Sequence, residues 1–290
     1  MTDTILHQPV LLQESLTALK ITPKKAYLDC TVGSAGHAVE IVKKGGKLFG
    51  LDVDPQALKR AKARLDKQPG ASFHLKRINF SQLNKAAQQW GLTSVAGILI
   101  DLGLSSEQIA DQARGFTFSH NAPLDMRADP NLKVTAADLI NGLNKGELNE
   151  LFKKLGEEQH SLSIADSIVR TRQQAPIRFT LELAEIVKQA KSKTKGKHPA
   201  TKVFQALRLA INDELNNLKA ALPQAVKLLE PKGRLVVISF HSLEDRIIKQ
   251  FIKNNKQLKN LTKKPIIPLS EEITQNPRSR SAKLRIAEKI

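Results

Sequence analysis

The chain has 290 residues, 41% of them hydrophobic, enough for one large packed domain or two smaller ones. Lysine and arginine total 46 against 28 aspartates and glutamates; the resulting +18 charge points to a polyanionic partner rather than a small neutral metabolite. The lone cysteine, Cys30, excludes an internal disulfide and argues against a cysteine-based zinc site, and no apolar run reaches the roughly 18 residues of a membrane span.

Met1-Thr2-Asp3-Thr4-Ile5-Leu6-His7 has neither a basic start nor a signal core, so the protein is read as cytoplasmic, with no membrane contact and no metal centre. The first strand spans Tyr27 to Cys30. It leads into Asp29-Cys30-Thr31-Val32-Gly33-Ser34-Ala35-Gly36-His37, a small-residue turn that opens a helix. Strand, small turn and helix together form a nucleotide-type pocket, because the backbone can approach the ligand and helix N–H groups point at it. The turn is not a full G-x-G-x-x-G: Ala35 stands where a second close-approach glycine is expected. The second strand, Leu48 to Asp52, ends in a carboxylate suited to the two hydroxyls of a ribose. These two features suggest an adenosine-containing cofactor and leave NAD open.

Pro55 to Leu65 reads as a helix with proline at its start, and Ser72 to Leu75 as the third strand. Phe80 to Trp90 reads as a helix stopped by Gly91. Val95 to Asp101 is apolar throughout, as expected of a strand covered on both faces. The order predicts a doubly wound parallel sheet. Asp29, Asp52 and Asp101 all end strands on the side where such sheets bind ligands. For Asp101 the alternative is capping of the helix that begins near Ser105.

The next strand, Arg234 to Phe240, comes only after a long interval of helical spacing: Thr135–Leu143, Lys145–Leu155, Glu158–Gln173 and Thr180–Lys191. This predicts a helical insertion over 106–200, with Thr180 as an N-cap. A single long helix from Pro199 to Ala220 then returns to the sheet. Within the insertion, Phe116 and Phe118 are either stacking faces for RNA bases or core, and Arg114 and Arg127 either phosphate contacts or partners of aspartates. From Ile186 to Asn212 there are Lys188, Lys191, Lys193, Lys195, Lys197, Lys202 and Arg208 and no acid, which reads as a phosphate-tracking patch or a loop. Arg246 to Ile290 holds twelve basic residues against Glu271, Glu272 and Glu288. His241 follows the fifth strand as a proton acceptor or a structural residue, and Ser242 reads as the N-cap of the next helix. Asn254 to Gln275 reads as a surface loop and Leu284 to Ala287 as a last strand.

Eight segments in family order resemble the RsmH (MraW) methyltransferases, which methylate N4 of a cytosine in 16S rRNA with S-adenosyl-L-methionine. They are 7–14, 29–37, 101–108, 114–118, 123–127, 198–207, 240–246 and 276–281. The resemblance implies a class I, Rossmann-like SAM-dependent methyltransferase sheet over 1–105 and 201–290, with an all-helical substrate-recognition domain over 106–200. It implies cofactor contacts at Ala35, Gly36, His37, Asp52, Phe80, Asp101 and Gln108. The implied target is the cytosine at position 1402, in the usual rRNA numbering, of 16S rRNA within the small ribosomal subunit. The chain departs from the family at Ser34-Ala35, Asn121-Ala122, Ala128 and Gln159–Ser163. It also lacks the Asp/Asn-Pro-Pro-aromatic turn of many amino-methyltransferases, having Asp101-Leu102-Gly103-Leu104 instead, so Asp101 or His241 is expected to accept the proton. A non-catalytic RNA-binding factor and an NAD enzyme are the rival readings. The oligomeric state is open, with a homodimer carried as one option.

Overall fold

The computed structural model describes residues 9–191 and 198–290. Seven strands form one sheet: β1 Ala26–Asp29, β2 Lys47–Asp52, β3 Phe73–Arg77, β4 Val95–Asp101, β5 Leu229–Ser239, β6 Leu258–Asn260 and β7 Lys283–Lys289. Their order is β3-β2-β1-β4-β5-β7-β6. The strands β1 to β5 are parallel, whereas β7 runs antiparallel to both β5 and β6. The expected all-parallel sheet is therefore corrected at one edge. There β7 reaches the sheet through the tail rather than through a crossover helix, so nothing forces it parallel.

The helices are α1 Leu12–Leu19, α2 Gly36–Lys43, α3 Pro55–Leu65, α4 Leu83–Gln89, α5 Ser106–Ala110, α6 Ala136–Gly142, α7 Lys145–Gly156, α8 Ser161–Arg172, α9 Thr180–Ala190, α10 Thr201–Ile211, α11 Glu214–Leu228, α12 Ser242–Asn254 and α13 Ser270–Gln275. Two compact units result, one of residues to Gly103 and from Leu215, the other Leu104–Glu214.

In the sheet unit the pleat divides the apolar strands between two cores. Leu28, Ile98, Ile100, Leu235 and Val237 enter one. Tyr27, Leu99, Val236 and Ile238 enter the other. Burial on both faces explains why these strands read as continuous apolar runs. The strand β5 begins at Leu229, ahead of the expected Arg234, and is irregular there: Val95 pairs with Leu229 but Gly97 with Arg234, and Lys232 takes φ +64°.

The helical unit has its own core, with Leu124, Ile140, Phe152, Ile164, Leu183, Val203 and Leu207. Residues 201–214, assigned by sequence to the sheet domain, therefore pack with the helices. The single long helix expected over Pro199–Ala220 is two: Asp213 adopts φ +48°, and Asn212 ties the break to the unit by donating to Met126 O at 2.9 Å and accepting from Ala128 N at 2.7 Å. Thr180 is not an N-cap. Its buried hydroxyl accepts from Ala122 N and donates to His120 O, while Glu182 takes the Arg178 and Phe179 N–H groups. The tail expected as loop contains β6 and α13.

Gly115 of the helical unit is strictly required. At Gly115 (φ +65°) an added Cβ would lie 2.0 Å from Pro123 O. Gly115→Ala is expected to lower unfolding stability by at least about 2 kcal/mol, from the left-handed conformation plus the backbone collision, as read by urea titration.

Candidate active site

In an open α/β sheet the ligand crevice lies outside the carboxyl ends of the strands, where the strand order reverses. Here that point lies between β1 and β4. Asp29 and Asp101 end these two strands, and Asp52 ends β2 beside them.

The turn after β1 is built for close approach. Gly33 takes φ +51° and Ala35 φ +63°. The left-handed turn costs Ala35 about 1–2 kcal/mol, which its fully buried methyl helps offset. At Gly36 a Cβ would meet Pro9 Cγ at 2.5 Å, so the start of α2 is pressed against the N-terminal segment. No side chain caps α2, and its first N–H groups have no intrahelical partners. The imidazole of His37 is buried: its Nε2 donates to Val10 O at 3.2 Å, and its Nδ1 stands 3.7 Å from Asp101 Oδ2.

Each carboxylate is held differently. One oxygen of Asp52 accepts from Gly33 N and the other from Asp54 N, both at 2.9 Å. Asp29 Oδ1 accepts from Thr31 N at 3.1 Å. Thr31 Oγ1 in turn accepts from Asp101 N at 2.7 Å, tying β4 to the β1 turn. Asp101 keeps Oδ1 buried with no hydrogen-bond partner among the described residues, although its side chain as a whole is 21% exposed.

Burial dominates the electrostatics. It lifts Asp29 to about 7, helped by Asp52 and opposed by the Thr31 N–H. It lifts Asp52 to about 6 against the N–H groups of Asp54 and Gly33. It pushes Asp101 well above the carboxylate range, with Asp29 and Glu244 adding to the shift. A cation among these carboxyls would favour their charged forms.

The raised values make a sign-definite prediction. Folded Asp29 holds its proton to about pH 7, whereas the unfolded side chain releases it near 3.8. The folded state binds more protons between these values, so stability falls as pH rises from about 4 through about 7. Asp29→Asn is expected to match the parent protein at pH 4 and to exceed it by a few kcal/mol at pH 8, on the order of 1.4 kcal/mol per unit. Thermal melts across that range check it.

The structure separates the other sequence candidates. His241 is the N-cap of α12 in place of Ser242. Its Nδ1 accepts from Glu244 N at 3.4 Å, its Nε2 lies 3.1 Å from Glu244 Oε1, and its side chain is 10% exposed. Glu244, which the reading of Ser242 as N-cap passed over, is buried and accepts from Phe240 N at 2.8 Å. The i, i+3 spacing from His241 was the available signal. Phe80 opens a 3₁₀ turn capped by Asn79 and is half-buried against the sheet core. Gln108 belongs to the helical unit, where it completes a capping box with Ser105; Ser105, not Asp101, caps that helix.

Several candidate RNA contacts are internal. Phe116 and Phe118 pack on the helical core, and Phe118 stacks on His198 with centroids 4.4 Å apart. Arg127 is held by both oxygens of Asp125 and by Leu132 O, and Arg114 pairs with Asp111 at 3.3 Å. In the basic run, Lys188 pairs with Glu185, Lys191 with Glu158 and Arg208 with Glu214, while Lys202 donates to Glu157 O. Lys193, Lys195 and Lys197 lie outside the described residues.

The profile of the MraW methylase family matches residues 4–290. The chain is 46% identical to the ribosomal RNA small subunit methyltransferase H of Thermomicrobium roseum, over 98% of this chain and 94% of the relative. It is 46% identical to the protein of that name from Deinococcus radiodurans, over 99% and 90% of the two chains. Identity to the one from Halothermothrix orenii is 41%, over 98% of each chain.

Proposed function

The chain belongs to the MraW methylase family, and from that premise we propose that it methylates small-subunit ribosomal RNA, with S-adenosylmethionine as donor and the N4 amine of a cytosine, that at position 1402, as acceptor. The observation that carries this reading is the trio of crowded carboxyls at the strand ends, beside an uncapped helix and a left-handed turn. That combination fits a donor with an adenosine at one end and a cationic sulfur and ammonium at the other.

In this reading Asp52 takes the ribose hydroxyls, and each of its oxygens retains a lone pair beyond its backbone contact. The backbone of Ala35, Gly36 and His37 lines the turn, Phe80 lies against the adenine, and Asp101 serves the methionine end. When bound, S-adenosylmethionine supplies an electrophilic methyl group. The cytosine amine is a poor nucleophile because its lone pair is delocalised into the ring. An acceptor on one N–H turns that pair outward and then takes the proton. Asp101 suits this role: Oδ1 has no protein partner among the described residues, and a cation in the crevice would draw its pKa back toward the carboxylate range. His241 suits it less: its Nδ1 accepts from Glu244 N, and its Nε2, although also without a hydrogen-bond partner among the described residues, stands 3.1 Å from Glu244 Oε1 rather than at the end of β4. Thr31 holds the Asp101 backbone in place, and His37 Nδ1 stands 3.7 Å from its Oδ2.

The substrate is proposed to be 16S rRNA within the small ribosomal subunit, with the base unpaired or flipped out of its stack. The test is to incubate the protein and donor with small subunits lacking the modification and to map methylated nucleotides by mass spectrometry. One methylated cytosine is expected. No transfer, or no calorimetric affinity for the donor, overturns the reading.

A further inference from the structure

The sheet unit carries a second concavity that the methylation chemistry does not use. It is an open groove of about 580 Å³ bordered by α11 and α12, and its lining includes Phe251, Lys219, Lys256, Gln250 and Asn254. The volume lies in the range of sites for small organic ligands, roughly 300–1,000 Å³. Phe251 is half-buried, whereas both lysines, Gln250 and Asn254 are exposed.

The charged residues of its lining have one sign. Residues 215–229 contain Lys219 and Lys227 and no acid, and residues 246–269 contain seven basic residues and no acid. Lys219 and Lys256 have no ion pair among the described residues, whereas Lys188, Lys191 and Arg208 of the 186–212 run pair with carboxylates. A second copy of this chain would bring like charge to the groove. An acidic peptide would satisfy the lysines but not the aromatic face or the donor–acceptor amides. A single-stranded nucleic acid satisfies all three: phosphates meet lysines, a base meets the ring, and base edges meet carboxamides.

We infer that this groove is a docking site for an unpaired segment of the RNA substrate, with Phe251 as a stacking face and Lys219 and Lys256 as phosphate contacts. The inference rests on the RNA-methylating reading above and adds a contact surface to it.

The experiment measures binding of a fluorescent oligocytidylate to the full chain by anisotropy at several salt concentrations. Lys219→Gln/Lys256→Gln is expected to weaken binding about tenfold at 0.1 M salt and to flatten the slope of log K against log salt by about 1.4. Phe251→Leu, which keeps an apolar side chain in the groove, is expected to weaken binding roughly fivefold at an unchanged slope. Calorimetry with S-adenosylhomocysteine is expected to be unaltered in both variants. Unchanged RNA affinity and slope in both overturns the inference. So does competition by polyglutamate as effective as that by RNA, or a change in sedimentation without a change in RNA binding. If the parent protein transfers no methyl group yet the variants lose RNA affinity as stated, the functional reading fails and the groove stands.

Discussion

Asp101→Asn is expected to lower single-turnover methylation by about 10²- to 10⁴-fold at saturating donor, with donor affinity changed far less. The substitution keeps the side chain's shape and its backbone bond to Thr31 Oγ1. It removes the one carboxylate oxygen at the β1–β4 switch point that is buried without a hydrogen-bond partner among the described residues. The parent protein's rate should also fall toward acid, because burial and the neighbouring Asp29 and Glu244 favour the protonated form of Asp101, which cannot accept a proton. The asparagine variant should lack that limb. His241→Asn supplies the contrast: asparagine is also a good N-cap, so the α12 terminus is kept and the rate is expected to stay within about tenfold. Equal rates for Asp101→Asn and the parent protein would remove Asp101 from the chemistry.

The second large effect is on stability. Lys191→Met is expected to destabilise the helical unit by about 3–5 kcal/mol, because it leaves Glu158 charged and without its ammonium. The two side chains are 7% and 2% exposed and 2.8 Å apart, and Lys191 Nζ also donates to Pro199 O. Burial pushes the Glu158 carboxyl up, but Lys191 and the His160 N–H outweigh it and hold the group low. The double change Glu158→Leu/Lys191→Met removes both charges together and is expected to recover most of the loss. Denaturant titration of the three variants checks it. RNA affinity at a fixed folded fraction is expected to be unchanged, since this lysine is inside the unit rather than on its surface.

These cases mark where local sequence was sufficient. The strand β4 and helix α3 run over the residues expected, Val95–Asp101 and Pro55–Leu65. In one a doubly covered strand admits only apolar side chains; in the other Asp54 and Pro55 give a cap and a start within two residues. The helical interruption was legible as well, because several short amphipathic helices cannot be a single crossover. The break between α10 and α11 was not. Apolar spacing runs on through Asn212 and Asp213, and the left-handed turn there is held by Asn212 bonding to a loop more than eighty positions earlier. Charge was legible as a sum and not as a surface: the acids that neutralise Lys191 and Arg208 lie outside the basic run itself.

The sequence by itself determined that three strands end in aspartates on one side of an α/β sheet, because strand order and length fix where each carboxyl emerges. Its segments also determined the family. Only the tertiary structure decided which groups are used up within the protein. The Nδ1 of His241 turns into a helix cap, Arg127 locks onto Asp125, and Asp101 keeps an oxygen without a hydrogen-bond partner among the described residues. Hydrogen-bond partners are set by distance in space, and that distance is not written in residue order.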